Sequence, residues 1–276
     1  MDWRELLVAI LAGALQGVVE WLPVSSQGNL SMFFAALGQS GDVAIQLSLF
    51  LQLGTTLSAA VYYREDIQTA TNGLPNWRPH EAFVGPNAEP SFVVLATATT
   101  GLVGIPIYLL IIDLASELTG GAFVAAIGVL LILTGVLQLT SESVGLGECQ
   151  EPSLFDALVV GAAQGFAILP GVSRSGVTTS TLLFTGHEAP AAFRLSFLLS
   201  IPAGIGAAVL IVLDVGGFPE IGLGSALVAL GVSVVVGYLT IDAMLRIVER
   251  IPFWAVCFGL GGLAILGGGI AVLFGA

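Results

Sequence analysis

The chain has 276 residues, of which 56% are hydrophobic and only 9% charged, against about 25% charged residues in a soluble domain. So few charges cannot cover a water-facing surface, so the composition excludes a soluble globular protein and predicts an all-α polytopic membrane protein. The net charge of −12 argues against nucleic acid as a partner. The acidity has two interpretations, adaptation to a high-salt (halophilic) habitat or a by-product of coding bias, and we favour the first.

The first apolar region, residues 4–38, is interrupted at its centre by the polar stretch QGVVEWLPVSSQGNL (16–30). Neither flanking arm spans a bilayer alone, which predicts a re-entrant helix–loop–helix that enters and leaves on one side. Irregular backbone is tolerated at membrane depth only inside protein or around a water-filled cavity. Full spans of about 20 residues each are then predicted for 42–63, 90–112 and 121–140. Residues 64–89, between the first two spans, are predicted to be a polar surface loop.

The second half of the chain repeats this order. Residues 153–186 again place two short apolar arms around a Pro, Gly and Ser-rich centre, LPGVSRSGVTTSTLLF (169–184), and spans are predicted for 190–213, 222–243 and 253–275. GALQG at 13–17 matches GAAQG at 161–165, and the offset of 148 residues (164 − 16) continues to Leu47-Ser48 and Leu195-Ser196. We therefore predict two repeats within one membrane domain, 1–143 and 144–276, each with a re-entrant pair and three spans.

The number of spans predicts the relation between the repeats. Three crossings per half is an odd number, so the second half starts on the opposite face, and the fold is an inverted-topology repeat of six full transmembrane helices plus two re-entrant pairs. Such loops approach each other near the midplane. The positive-inside rule places the side with more arginines in the cytoplasm, and so both termini on the outer face. The side predicted to be cytoplasmic carries four arginines, and the other side carries only Arg4. The four are Arg64, Arg78, Arg246 and Arg250.

Arg174, in the second polar centre, is a candidate functional residue because an arginine inside a membrane segment is costly. Ser173 and Ser175 flank it, and Thr178 follows one turn later. Backbone N–H groups at a helix start, these hydroxyls and the guanidinium would form a phosphate cradle. The alternative is that Arg174 pairs with an acidic side chain for structure only.

Glu20, in the first polar centre, supplies the opposite charge. Gln16 lies one turn earlier and faces the same side if the arm is helical. Glu20 could neutralise Arg174, bind a divalent cation through oxygen, or act as a general base. Ser25 and Ser26 add hydroxyls, one of which could be a nucleophile, although serines at such positions more often serve helix packing.

These two stretches, followed by AAFRLSFLLSIPAG (191–204), resemble the undecaprenyl-pyrophosphate phosphatase family, also called the bacitracin-resistance family. The resemblance covers essentially the whole chain in length and segment order. It implies an integral-membrane hydrolase that removes the terminal phosphate of a polyprenyl pyrophosphate, undecaprenyl or dolichyl. This step recycles the lipid carrier for cell-envelope glycan synthesis. With the termini outside and a lipid pyrophosphate as substrate, we expect the active site to open to the outer face of the plasma membrane. The resemblance also implies Mg²⁺ or Ca²⁺ as cofactor.

Carried over position by position, the resemblance gives catalytic roles to Glu20, Ser26 and Arg174, with Ser26 as the proposed nucleophile. Gln16 joins Glu20 as the second candidate metal ligand. The family commonly has a histidine where this chain has Asn29, and an asparagine can only hydrogen-bond. The resemblance and the loop chemistry together assign phosphate binding to these residues: Ser25, Asn29, Gly171, Ser173, Arg174, Ser175 and Thr178.

Two functions remain open from the sequence. In the first, Ser26 or a metal-bound water attacks the phosphorus, with Glu20 as base or metal ligand, while Arg174 stabilises the developing charge. In the second, the protein is a polyprenyl-phosphate transporter or flippase with weak or no phosphatase activity. We favour the enzyme because all three residues are present. The 36 glycines permit close helix packing within the chain or in an oligomer.

Overall fold

The structure is a computed structural model that describes residues 3–72, 77–142, 147, 149, 151–216, 222–248 and 250–274. The predicted boundary between the repeats, at residues 143 and 144, lies outside these residues. Within them the chain forms no strand beyond an isolated bridge between Cys149 and His187. Two single-turn 3₁₀ helices cover Pro79–Glu81 and Gly85–Asn87. The α-helices are α1 Trp3–Val19, α2 Ser26–Ala36, α3 Gly41–Tyr62, α4 Arg64–Asn72, α5 Ala88–Glu117, α6 Gly120–Glu142, α7 Leu154–Phe166, α8 Arg174–Phe184, α9 Ala189–Val215, α10 Leu223–Val248 and α11 Phe253–Leu273.

Six of these helices are long and apolar enough to cross a membrane: α3, α5, α6, α9, α10 and α11. They coincide with the six predicted spans, so the all-α polytopic membrane class is confirmed. The four shorter helices α1, α2, α7 and α8 form the two pairs in which the sequence predicts a break. Each break falls where the polar centre interrupts the apolar pattern, at residues 20–25 and 167–173.

The prediction of a plain surface loop at 64–89 is wrong. Its first part is the helix α4, which carries Glu65 and Asp66 in its first turn, where acidic side chains favour helix formation. Arg194 in α9 holds this segment at both ends, since it pairs with Asp66 at 3.2 Å and donates from Nη2 to Glu89 at 2.9 Å. The segment is therefore anchored to the helix bundle.

A short helix of each half packs closely, through glycines, on a long helix of the other half. Gly17 in α1 packs against Gly237 in α10, where an added Cβ would lie 2.8 Å from the Gly237 nitrogen. Gly165 in α7, which stands at the same place in the repeat, packs against Gly104 in α5 with the corresponding distance of 3.1 Å. A close glycine contact is thus made twice, by α10 with α1 and by α5 with α7.

The core that supports the first polar centre lies between α2, α3 and α6. Leu30, Leu47, Phe50 and Leu131 are at most 1% exposed and belong to one apolar cluster. Burial of side chains of this size contributes about 1.5–3 kcal/mol each. Packing of α2 against this cluster therefore fixes the position of the helix that begins at Ser26.

Candidate active site

The breaks in the two short helix pairs meet at one cavity of about 190 Å³. The first break contributes Glu20, Ser25 and Ser26, and the second contributes Ser173, Arg174 and Ser175. The remaining wall comes from α3, α5, α7 and α9. Six of the predicted site residues are thus brought together from positions about 150 residues apart in the sequence.

Arg174 and Glu20 form an ion pair across the cavity. The Arg174 Nη2 atom donates to Glu20 Oε1 at 2.5 Å, and the two side chains are 12% and 5% exposed. The Nε and Nη1 atoms of Arg174 are buried and have no partner among the described residues. Leaving charged donors unpaired in a buried site costs stability, so a purely structural ion pair does not account for this arginine. These two unpartnered nitrogens indicate an anionic ligand.

The second oxygen of Glu20 is also held. Its Oε2 atom accepts hydrogen bonds from Gln16 Nε2 at 2.8 Å and from Ser26 Oγ at 2.6 Å. The prediction that Gln16 and Glu20 face the same side is therefore confirmed. Gln16 Nε2 also donates to Thr55 Oγ1 at 3.1 Å, while Gln16 Oε1 is buried with no partner in the described chain. Ser26 Oγ thus lies where Glu20 can take its proton.

Ser25 joins the two breaks to each other. It has a left-handed backbone (φ 57°), which is rare outside glycine, and its Oγ accepts from the backbone N–H groups of Gly28 and Gly171 at 3.1 and 3.0 Å. Gly171 has φ 106°, and a Cβ there would lie 2.6 Å from the carbonyl oxygen of Ile127. Both residues therefore shape the loops.

Gly171, Thr178 and Asn29, which are also predicted to bind phosphate, do not line the cavity. Thr178 is fully buried, and its Oγ1 donates to the Arg174 carbonyl at 2.9 Å and lies 2.6 Å from the Ser196 hydroxyl. Asn29 Nδ2 donates to the carbonyl oxygens of Val24 and Ser25, both at 2.9 Å. These side chains bind their own backbone or a neighbouring helix.

Gln164 is a cavity residue that the sequence analysis missed. It is 3% exposed, it donates from Nε2 to Thr100 Oγ1 at 3.1 Å, and its Oε1 atom has no partner in the described part of the chain. The signal was present, because Gln164 stands in GAAQG at the place that Gln16 occupies in GALQG. Both glutamines end the first arm of their repeat and carry a free buried carbonyl.

With this geometry in place, comparison with known proteins is informative. The family model "Bacitracin resistance protein BacA" matches residues 9–263. The chain belongs to the BacA family. It is 48% identical to an undecaprenyl-diphosphatase of Haloarcula marismortui over 98% of this chain and 100% of that protein. Proteins of the same name from Methanococcoides burtonii and Methanopyrus kandleri are 40% and 37% identical, each over 95% of this chain and 98% and 96% of the relative.

These findings confirm the family resemblance. The acidic composition of this BacA-family chain also agrees with the halophilic character of the Haloarcula relative.

The oxygen atoms around Glu20 suit a hard divalent cation, which prefers carboxylate, carbonyl and hydroxyl ligands. The unpartnered Gln16 Oε1 and the Glu20 carboxylate are the donors that this BacA-family protein offers. Within the described residues, no group of three or more His, Cys, Asp and Glu side chains comes together. A divalent cation held here would take one carboxylate from the protein and its other ligands from substrate phosphates and waters, as Mg²⁺ can.

His187 does not replace the missing family histidine. It is 1% exposed, its Nε2 lies 3.3 Å from Asp156 Oδ2, and it lines a separate cavity of about 690 Å³. Burial alone would raise the pKa of Asp156, but hydrogen bonds from His187, Ser153 and Thr185 outweigh it and hold that pKa below its usual range. This pair ties the start of α7 to the end of α8.

Proposed function

We propose that this BacA-family protein hydrolyses a polyprenyl pyrophosphate to the monophosphate, in keeping with the name of its relatives. The observation that carries the proposal is the pair of unpartnered, buried nitrogens of Arg174 beside the Ser26–Glu20 hydrogen bond. A substrate with an anionic end and an apolar tail suits a cavity that lies between membrane-spanning helices.

In the proposed step, Ser26 Oγ attacks the terminal phosphorus while Glu20 Oε2, at 2.6 Å, takes the hydroxyl proton. The new O–P bond forms as the anhydride P–O bond breaks, and the polyprenyl monophosphate leaves with the bonding electrons. Water then cleaves the phosphoserine, and inorganic phosphate is released. Arg174 Nε and Nη1 bind the phosphoryl oxygens and stabilise their charge through both transition states.

Direct attack by water is the second possible route, in which Ser26 only orients the nucleophile. Both routes use the nucleophile and base geometry at Glu20. Transport of an unchanged lipid phosphate would need no such pair, so the geometry favours hydrolysis over a flippase.

We propose Glu20 and Gln16 as the residues that hold a divalent cation, Mg²⁺ or Ca²⁺. When bound, that cation would supply charge neutralisation to the pyrophosphate. The unpartnered Gln16 Oε1 supports this assignment, since a buried carbonyl oxygen without a donor is costly.

We also propose that the halves form an inverted repeat with two re-entrant pairs, in the plasma membrane, with the termini and the cavity opening outside. The exchanged Gly17–Gly237 and Gly165–Gly104 contacts support the repeat, and the arginine distribution supports the orientation. A Ser26→Cys variant in a Cys149→Ser background tests it in sealed vesicles. Labelling by an impermeant thiol reagent from the outer side is expected, and labelling from the cytoplasmic side alone contradicts the orientation.

The activity is tested with purified protein in detergent, a polyprenyl pyrophosphate, a divalent ion, and both low and high salt. Phosphate release is expected from the wild type and should be lost in Arg174→Ala and Glu20→Ala. Arg246→Ala is the matched control, because Arg246 also pairs with a carboxylate, at 2.6 Å from Asp242, but on the exposed surface. No release under any salt or metal condition, together with tight binding of the monophosphate, refutes hydrolysis and favours the flippase.

A further inference from the structure

Two interfaces between helices occupy matching positions in the two predicted repeats. The first lies between α3 and α10, and the second between α9 and α5. Helix α9 is matched to α3 by the offset of 148 residues, since Leu47-Ser48 in α3 corresponds to Leu195-Ser196 in α9. Helix α5 is matched to α10 by the glycine contacts, since α10 packs on α1 as α5 packs on α7. The two interfaces can therefore be compared residue by residue.

The interface between α3 and α10 is closed. Ser58 in α3 donates to the carbonyl oxygen of Val234 at 2.7 Å, and Ser233 in α10 donates to that of Leu51 at 3.3 Å. Ser58 and Ser233 are 1% and 0% exposed. Gly54 lies against Ser233, where an added Cβ would come within 2.7 Å. The two backbones are thus joined at close range.

The interface between α9 and α5 is open at the corresponding positions. Gly206 stands at the place of Ser58 and is exposed, with no atom within 4 Å of an added Cβ. Gly101 stands at the place of Val234, and the nearest atom to its added Cβ is Ile105 Cδ1 in its own helix, at 3.9 Å. Thr100 stands at the place of Ser233, and its hydroxyl donates to Gly161 and to its own helix rather than to α9.

The opening is a window with two closed ends. At one end, Phe92 in α5 and Leu199 in α9 are fully buried in one apolar cluster. At the other end, the Tyr108 hydroxyl in α5 donates to Asp214 Oδ2 in α9 at 2.8 Å. Between them, Gly101 and Gly206 line the same cavity as Arg174. We call the gap at Gly101 and Gly206 the α5–α9 window.

The cavity is too small to enclose a lipid substrate whole, so the tail must extend out of it. Its volume of about 190 Å³ is below the ~300–1,000 Å³ of pockets that enclose a drug-sized ligand. A pyrophosphate group fits near Arg174, but a tail of many isoprene units does not. The unpartnered, 3% exposed Gln164 in the same cavity points independently to a bound ligand.

We propose that the α5–α9 window is the passage through which the polyprenyl tail of the substrate leaves the cavity for the bilayer. The inference rests on the proposed function. Gly206 has no hydroxyl that could bond to α5 as Ser58 bonds to α10, so the passage stays open. The apolar side chains of Ile105 and Leu210 line its wall. The tail enters sideways between two spans while the pyrophosphate stays at the paired loops.

The test compares Gly206→Leu with Gly231→Leu, a matched control at an exposed glycine of α10 that also has no atom within 4 Å. Each variant is given a long-chain polyprenyl pyrophosphate and the short farnesyl pyrophosphate. A side chain that fills a passage is expected to lower the long-to-short ratio of kcat/KM by at least about tenfold. Gly231→Leu is expected to leave the ratio within about twofold. An unchanged ratio in Gly206→Leu overturns the proposal.

Gly206→Ser is a milder second variant in case leucine impairs folding. Its side chain narrows the window less than leucine does, so it should lower the same ratio by a smaller factor. An unchanged ratio in a folded Gly206→Ser protein also counts against the passage.

Binding separates this inference from the proposed activity. If the wild type hydrolyses neither substrate, the activity is refuted while the window is still testable by thiol protection in a Cys149→Ser background. A long-chain polyprenyl monophosphate should slow alkylation of Gly206→Cys by an apolar maleimide and leave Gly231→Cys unaffected. Equal rates with and without lipid at Gly206→Cys overturn the window.

Discussion

Replacement of Arg174 by lysine separates its two roles. One guanidinium nitrogen pairs with Glu20, and two others are free. A lysine ammonium can keep a charge beside Glu20 but does not present the planar fork that binds phosphate oxygens at several points. Arg174→Ala is less informative, because it leaves a Glu20 side chain that is 5% exposed without its counter-ion, a change that costs about 3–5 kcal/mol.

The expected loss follows from the two free nitrogens. Each charged hydrogen bond contributes about 1.5–3 kcal/mol, so Arg174→Lys should lose roughly 3–6 kcal/mol of transition-state binding. At about 1.4 kcal/mol per factor of ten, kcat/KM should fall by roughly 10²–10⁴, while the Tm in the same detergent stays near that of the wild type. A lysine variant with a normal Tm and activity within about threefold of wild type would show that these nitrogens do not hold the phosphate.

Three further predictions concern other residues. Ser26→Ala should lower kcat by at least about a thousandfold if Ser26 is the nucleophile, and a loss below tenfold would instead support attack by water. Asn29→Ala removes two hydrogen bonds to backbone carbonyls. It should lower the free energy of unfolding by about 1–3 kcal/mol and leave KM unchanged. A raised KM at unchanged Tm would instead show that Asn29 contacts the phosphate. Asp156→Asn should lower the Tm at pH 7. Because the folded pKa of Asp156 is depressed, its stabilisation is present above pH ~4 and is lost at lower pH, so the Tm difference between variant and wild type should shrink in acid; a constant difference would contradict this.

Several site residues could be predicted because the relevant signal is local. Gln16 and Glu20 are four residues apart, and one helical turn places them together. Ser173 precedes a helix start and caps it, as serine does at such positions. Thr178 and Asn29 are the opposite case, since neither lines the cavity. Spacing places Thr178 one turn after Arg174, but the packing of α8 on α9 turns its hydroxyl towards Ser196.

Composition and hydropathy alone determined the membrane class, the six spans and the two polar interruptions, since each depends on the average character of about 20 neighbouring residues. The sequence also predicts the repeat, down to the glutamine shared by GALQG and GAAQG. Only the tertiary structure decided that the Gln16 Oε1 oxygen and the Arg174 Nε and Nη1 nitrogens stay without a partner among the described residues. It also decided that the exchange of Ser58 for Gly206 opens a window. Both outcomes depend on contacts between helices far apart in the chain, and no local pattern encodes which backbone a side chain will meet.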